Sequence, residues 1–166
     1  LAPAASVAAS PSSPYAGEEA REIKALTSGE VEGLLAGKGM GYGKSAELNG
    51  YPGPAHVLEL ASELQLTDDQ LQTTRDIHAR MEAAAKAGGA QLVAAEAELE
   101  GRFRSGAEGE SGMASALGLI GRLQAELRGA HLSAHVEQRR VLTAEQIERY
   151  VHLRGYRDGH GSDHGH

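Results

Sequence analysis

The sequence predicts an all-α protein. It reads as a four-helix antiparallel hairpin bundle with a long central helix pair, behind a glycine-rich N-terminal extension. Three observations carry this reading. Leu66-Thr67-Asp68-Asp69-Gln70 and Leu142-Thr143-Ala144-Glu145-Gln146 both spell Leu-Thr-x-x-Gln, and Leu26-Thr27-Ser28-Gly29-Glu30 is a looser version. Each is a capping box: the threonine hydroxyl accepts from a free amide at the helix start, and the Gln or Glu three residues on reaches back to the cap. Between the boxes, apolar residues step by three and four, as on one face of a helix. Aromatic residues are only 4% of the chain and Trp is absent. The core must then be built from Leu, Ala, Ile and Val, which favours close-packed helices over a β-sandwich.

In chain order, residues 1–14 are mostly Ala, Ser and Pro. They bury too little surface to offset the entropy of ordering and read as a disordered leader. Residues 15–155 read as the helical domain. Tyr15 to Lys24 has material for a turn or two, and Thr27 caps a short helix through Val31, Leu34 and Leu35 that stops at Gly37. Residues 37–54 are rich in glycine and predict a compact loop. It has a short helix near Ser45–Leu48 and packs Met40, Tyr42, Leu48 and Tyr51 on the bundle. Pro54 suits the first turn of a helix reaching Leu64.

Thr67 opens the longest helix, whose inward seam is Leu71, Thr74, His78, Met81, Ala85, Gly88, Leu92, Ala95 and Leu99. Unbroken to Phe103 it measures roughly 55 Å, with Gly88-Gly89 as its weak point. The stretch Ala83–Ala95 is poor in large apolar groups, so a second subunit or the 37–54 segment is expected to cover it. Residues 104–111 turn the chain. A second long helix follows, with Met113, Leu117, Ile120, Gln124, Leu127, His131, Ala134 and Gln138 on its seam. Thr143 caps the last helix, which ends near Gly155. Residues 156–166 form a Gly-, Asp- and His-rich tail that reads as disordered.

The net charge of −7 argues against sequence-independent binding to nucleic acid or anionic lipid. Zero Cys excludes disulfides and thiolate metal sites. No run of eighteen apolar residues is present, so no membrane span is predicted. The opening Leu1-Ala-Pro-Ala-Ala-Ser resembles what remains after signal-peptide removal, which favours an exported, periplasmic protein.

With two Leu-Thr-x-x-Gln boxes, one opening a long helix and one opening the last, the chain resembles the periplasmic Spy/CpxP family. That family includes heavy-metal sensors of the CnrX type. The resemblance covers about Pro54 to Gly155. It implies a curved helical hairpin that forms a homodimer and has no catalytic centre. Members either shelter unfolding envelope proteins or bind metal ions and report them to a membrane signalling partner. No ligand of those sensors matches this sequence residue by residue.

Read from the residues, the chemistry lies in the histidines. The chain has eight His against one Phe. His131 and His135 stand four apart on one helix face, a spacing at which two imidazoles share an ion. Folding the hairpin about Ala107 brings His78 and Met81 level with the turn that carries them. His78, Met81, His131 and His135 are therefore the candidate metal ligands, with Glu137 near. His/Met mixtures suit copper, nickel or cobalt, and His with a carboxylate suits zinc. The bland reading of each is a hydrogen-bonded seam histidine. The tail residues His160, His164 and His166 form a second, flexible metal-collecting group. His56 and His152 read as caps or surface residues.

Two tempting motifs fail. Gly43-Lys44-Ser45 lacks the glycine a phosphate loop needs at position 38, which is Lys38, and no strand precedes Gly41-x-Gly43. No nucleophile elbow or other catalytic constellation and no organic cofactor motif is present, so the chain is read as no enzyme. The expected function is binding or sensing of a divalent or copper ion in the envelope. The alternative is a holdase chaperone of the same fold.

Overall fold

A computed structural model of the chain describes residues 10–107 and 109–156, and every regular element among them is helical. A 3-10 turn at Glu18–Ala20 precedes α1 (Ser28–Leu35), α2 (Lys44–Glu47), α3 (Pro54–Glu59), α4 (Asp68–Ser105), α5 (Glu110–Val141) and α6 (Ala144–Leu153). Residues 10–14 are exposed and carry no helix or strand; the rest of the predicted leader lies outside the described residues. No helix among those described is long and apolar enough to cross a membrane.

All three predicted boxes form. Thr27, Thr67 and Thr143 accept from the amides of Glu30, Gln70 and Gln146, whose side chains accept from the cap amides in return. The two glutamines also grip each other. Gln70 Nε2 donates to Gln146 Oε1 at 2.8 Å, and Gln146 Nε2 donates to Gln70 Oε1 at 2.9 Å. Gln70 also donates to the Val141 carbonyl and Gln146 to that of Leu64. The repeated motif is thus a clamp that joins the start of α4 to the start of α6.

The two long helices pack on each other and run in opposite directions. Thr74 meets Gln138, Gly88 meets Leu127, and Ala95 lies beside Leu119. Their buried residues follow the three-and-four step: Thr74, Ile77, Ala85, Gly89, Leu92 and Ala95 on α4, with Ile120, Leu123, Leu127, His131, Ala134 and Gln138 on α5. The expected seam holds for most of its residues but not at Met113, Leu117 and Gln124, which are exposed. Ile77 takes an inner place, and Leu117 is uncovered because the other short helices do not reach that end of α5.

α4 runs without interruption through Gly88 and Gly89. Gly89 is a docking point. A Cβ there would land inside the carbonyl oxygen of Leu34, so the end of α1 lies directly on the α4 backbone. The small-residue stretch of α4 is therefore covered by α1, with Leu34, Ala85, Leu92 and Leu127 in one core and Tyr42 packed against it. A second core of Val57, Leu64, Leu142 and Tyr150 ties α3 and α6 together. The helix expected to reach Leu64 ends at Glu59. The chain then reverses at Gln65, in the left-handed region (φ 53°), so that Leu64 and Leu66 both pack into this core. Of the loop residues expected to pack, Tyr42 and Tyr51 are half-buried, while Met40 and Leu48 are exposed. The loop is held instead through backbone glycines and Glu47.

Candidate functional site

The docking of α1 fixes where residues 36–53 go: across the α4–α5 pair, over the turn that carries His131 and His135. Between this segment and the pair lies a cavity of about 520 Å³. His78 and Met81 from α4 line it, as do His131 and His135 from α5, so all four ligands expected in the helical body share one cavity. Their partners there are Met40 and His56, both from the N-terminal side of the chain.

His135 is fixed by a hydrogen bond and by close packing. Its Nδ1 lies 2.7 Å from the Tyr51 carbonyl oxygen. A carbonyl only accepts, so Nδ1 carries a proton and in the neutral ring the lone pair falls to Nε2, the arrangement that orients metal-binding imidazoles. Two glycines make room for the ring. A Cβ on Gly43 would sit 2.5 Å from His135 Nε2, and one on Gly53 would sit 2.9 Å from its Cε1. The space left by the missing side chain of Gly43 therefore lies against the free lone pair.

His131, one turn earlier, is 3% exposed, and its Nε2 has no hydrogen-bond partner among the described residues. Tyr42 stacks on its ring at 5.9 Å between centroids. Burial, and secondly the charge His135 bears when protonated, push its pKa below the ordinary value of 6.5. It stays neutral at neutral pH, which is the form that binds metal. Leaving a buried imidazole nitrogen unpaired is costly, so the orphan asks for an explanation.

Glu47 organises the rim. Its Oε1 accepts from the Tyr150 hydroxyl at 2.6 Å and the Tyr156 hydroxyl at 2.8 Å. Its Oε2 accepts from the Gly53 amide at 3.1 Å and lies 3.6 Å from His135 Nδ1. Burial, with the Glu47 carboxylate beside it, pushes the Tyr150 hydroxyl far above its ordinary range. One half-buried carboxylate thus joins α2, α6 and the His135 turn.

His56 and Glu137 are placed differently from expectation, while His152 has the surface position expected of it. His56 lines the cavity and pairs with Glu59 at 3.0 Å, where a cap or surface role was expected. Glu137 faces outward and pairs with Arg80 at 2.8 Å. His152 sits exposed in the last turn of α6. His160, His164 and His166 lie outside the described residues. Among those described, no three His, Asp or Glu side chains come close enough together to hold one ion. The imidazoles are gathered in one cavity without being assembled into a coordination shell. Met40 and Glu47 were missed, because nothing local marks them: the hydroxyls that Glu47 accepts from belong to Tyr150 and Tyr156, about a hundred residues on.

Compared with protein-family models, curated proteins and solved structures, the chain matches none.

Proposed function

We propose that this chain is a non-enzymatic, exported metal-binding protein, built as a four-helix hairpin bundle of the Spy/CpxP type, that takes up a transition-metal ion in the cavity between α4, α5 and the glycine-rich segment. Copper, nickel, cobalt and zinc are the candidate ions. A homodimer and a signalling partner in the envelope belong to the same reading. One observation carries it. The cavity collects His56, His78, His131 and His135, leaving only His152 outside among the described histidines, along with two of the chain's three methionines. His131 and His135 would be the anchoring donors. His131 brings an unpaired buried nitrogen, and His135 a lone pair whose tautomer is set by the Tyr51 carbonyl.

Titration calorimetry of the full chain with each of the four metals tests this. His135→Ala is expected to weaken binding at least tenfold, and His56→Ala by far less, since His56 is already paired with Glu59. Equal affinities for wild type and His135→Ala would exclude the cavity as the metal site.

The runner-up, a holdase chaperone, rests on a different feature. Phe103, Met113, Leu117 and Leu119 leave apolar surface exposed near the hairpin turn, the kind of surface that engages unfolded chains. Suppression of aggregation of an unfolded client, lost on Phe103→Ser together with Leu117→Ser but kept in His135→Ala, would favour that reading over the metal one.

A further inference from the structure

We infer that the ion this cavity selects is copper(I), held by the thioethers of Met81 and Met40 together with the imidazoles of His131 and His135. This rests on the metal-binding reading above and narrows it to one ion and one donor set.

The donors left free in the cavity decide the matter. Its carboxylates are committed elsewhere. Glu47 accepts two tyrosine hydroxyls and a backbone amide, and Glu82 pairs with Lys86 at 2.8 Å. The groups that remain are neutral imidazole nitrogen and thioether sulfur. Thioethers bind divalent zinc and nickel poorly and favour copper(I), a soft ion content with two to four donors. Zinc and nickel want several nitrogen, oxygen or thiolate donors at once, and no three His, Asp or Glu side chains stand together here among the described residues.

Charge points the same way. Two carboxylates, Glu47 and Glu82, stand against two lysines, Lys38 and Lys44, in its lining, so the cavity offers a dication no net negative charge. The cost of moving an ion out of water rises with the square of its charge, so a monocation is penalised far less. The position of Met40 is specified by the chain as well. It is one of only two described non-glycine residues with positive φ, at 50°, and it sits in the glycine-rich segment that roofs the cavity. Its φ and that of Gly41 (77°) are those of a tight turn closed by the Tyr42 amide donating to the Gly39 carbonyl, and that turn sets its sulfur against Gly33 of α1 at the edge of the cavity. Met81 approaches from the opposite wall, on α4, one turn after His78.

The test uses the full chain with His160, His164 and His166 changed to Ala, so that the tail does not contribute equivalents. Copper(I) is titrated anaerobically under reductant against a chromophoric copper(I) chelator, with zinc and nickel measured in parallel. Met81→Leu and Met40→Leu conserve volume and should leave the fold intact; circular dichroism verifies this. Met113→Leu, outside the cavity, is the control. Met81→Leu should lower copper(I) affinity at least tenfold and Met40→Leu several-fold. Met113→Leu should change nothing, and zinc affinity should be indifferent to all three. X-ray absorption of the copper(I) form should show sulfur in the first shell. A shell of nitrogen and oxygen only, or copper(I) affinity within twofold of the parent in both cavity variants, overturns the copper(I) assignment. If zinc or nickel then still depends on His135, the metal-binding reading survives. If no ion binds and His135→Ala changes nothing, both fall.

Discussion

Gly88 and Gly89 are adjacent in the middle of α4, and the same substitution should have opposite effects at the two. In a helix interior, Gly→Ala gains about 1 kcal/mol from backbone entropy alone. At Gly88 the new Cβ meets Leu127 Cδ1 at 3.4 Å, an ordinary contact, so Gly88→Ala should stabilise by roughly 0.5–1 kcal/mol. At Gly89 the new Cβ falls on backbone atoms of Leu34, which cannot swing aside as a side-chain tip can. Overpacking of this kind costs about 1–3 kcal/mol or more, which exceeds the propensity gain, and relief requires α1 to lift off α4. Gly89→Ala should therefore be net destabilising by about 1–2 kcal/mol, read as opposite shifts of the urea midpoint for the two variants at unchanged slope. Because α1 leads directly into the roof of the cavity, Gly89→Ala should also weaken metal binding while Gly88→Ala does not. Equal stabilisation by both substitutions would refute the seating of α1 on Gly89 and the cavity built on it.

Three further outcomes are expected. Gln146→Ala removes an amide that caps α6 and bonds Gln70 and the Leu64 carbonyl, and should cost about 2 kcal/mol. Gln70→Ala and Gln146→Ala together should cost less than their sum, and strict additivity in a double-mutant cycle would show that the amides do not clamp each other. Since the folded-state pKa of His131 lies below the ordinary value, protonation opposes folding. Stability should hold above about pH 6.5 and fall as pH drops from there through the folded pKa, and thermal melts should show His131→Leu reducing that loss. Changing His160, His164 and His166 to Ala should remove weaker metal equivalents while leaving the tightest one, as stoichiometry in calorimetry will show.

Much of this fold is local chemistry and could be read along the chain. The three capping boxes stand where Thr27, Thr67 and Thr143 put them, and a box involves only residues three apart. The hairpin register was also within reach, because a short turn between two seams leaves little freedom in how they pair. This is why His78, Met81, His131 and His135 line one cavity. Contacts between backbone and distant side chains were not legible. The glycines of 37–54 read as the turns of a compact loop, yet Gly43 and Gly53 also admit one imidazole edge. Gly89 read as a weak point because, in sequence, a glycine that permits close approach is indistinguishable from one that breaks a helix.

The same distinction separates the two halves of the site. α4 and α5 hold His78, Met81, His131 and His135 on long helices whose register is set by the whole core, including the Thr74–Gln138 hydrogen bond at 2.9 Å. The roof, with Met40, Gly43 and Gly53, is held at Tyr42 and Pro52 and by polar contacts at Glu47 and Tyr51, without a helix longer than Lys44–Glu47. Local opening draws on the least-packed elements, so the roof should exchange amide hydrogens faster than the helix pair beneath it. An ion bridging the roof and the α4–α5 wall would tie the two together. Metal binding is then expected to slow exchange most in 37–53 and least in α4, because α4 is already held by its core. Hydrogen exchange by mass spectrometry, with and without copper(I), reads this directly. Protection spread evenly over both long helices, with none gained in 37–53, would place the ion away from the roof and remove Met40 from the donor set.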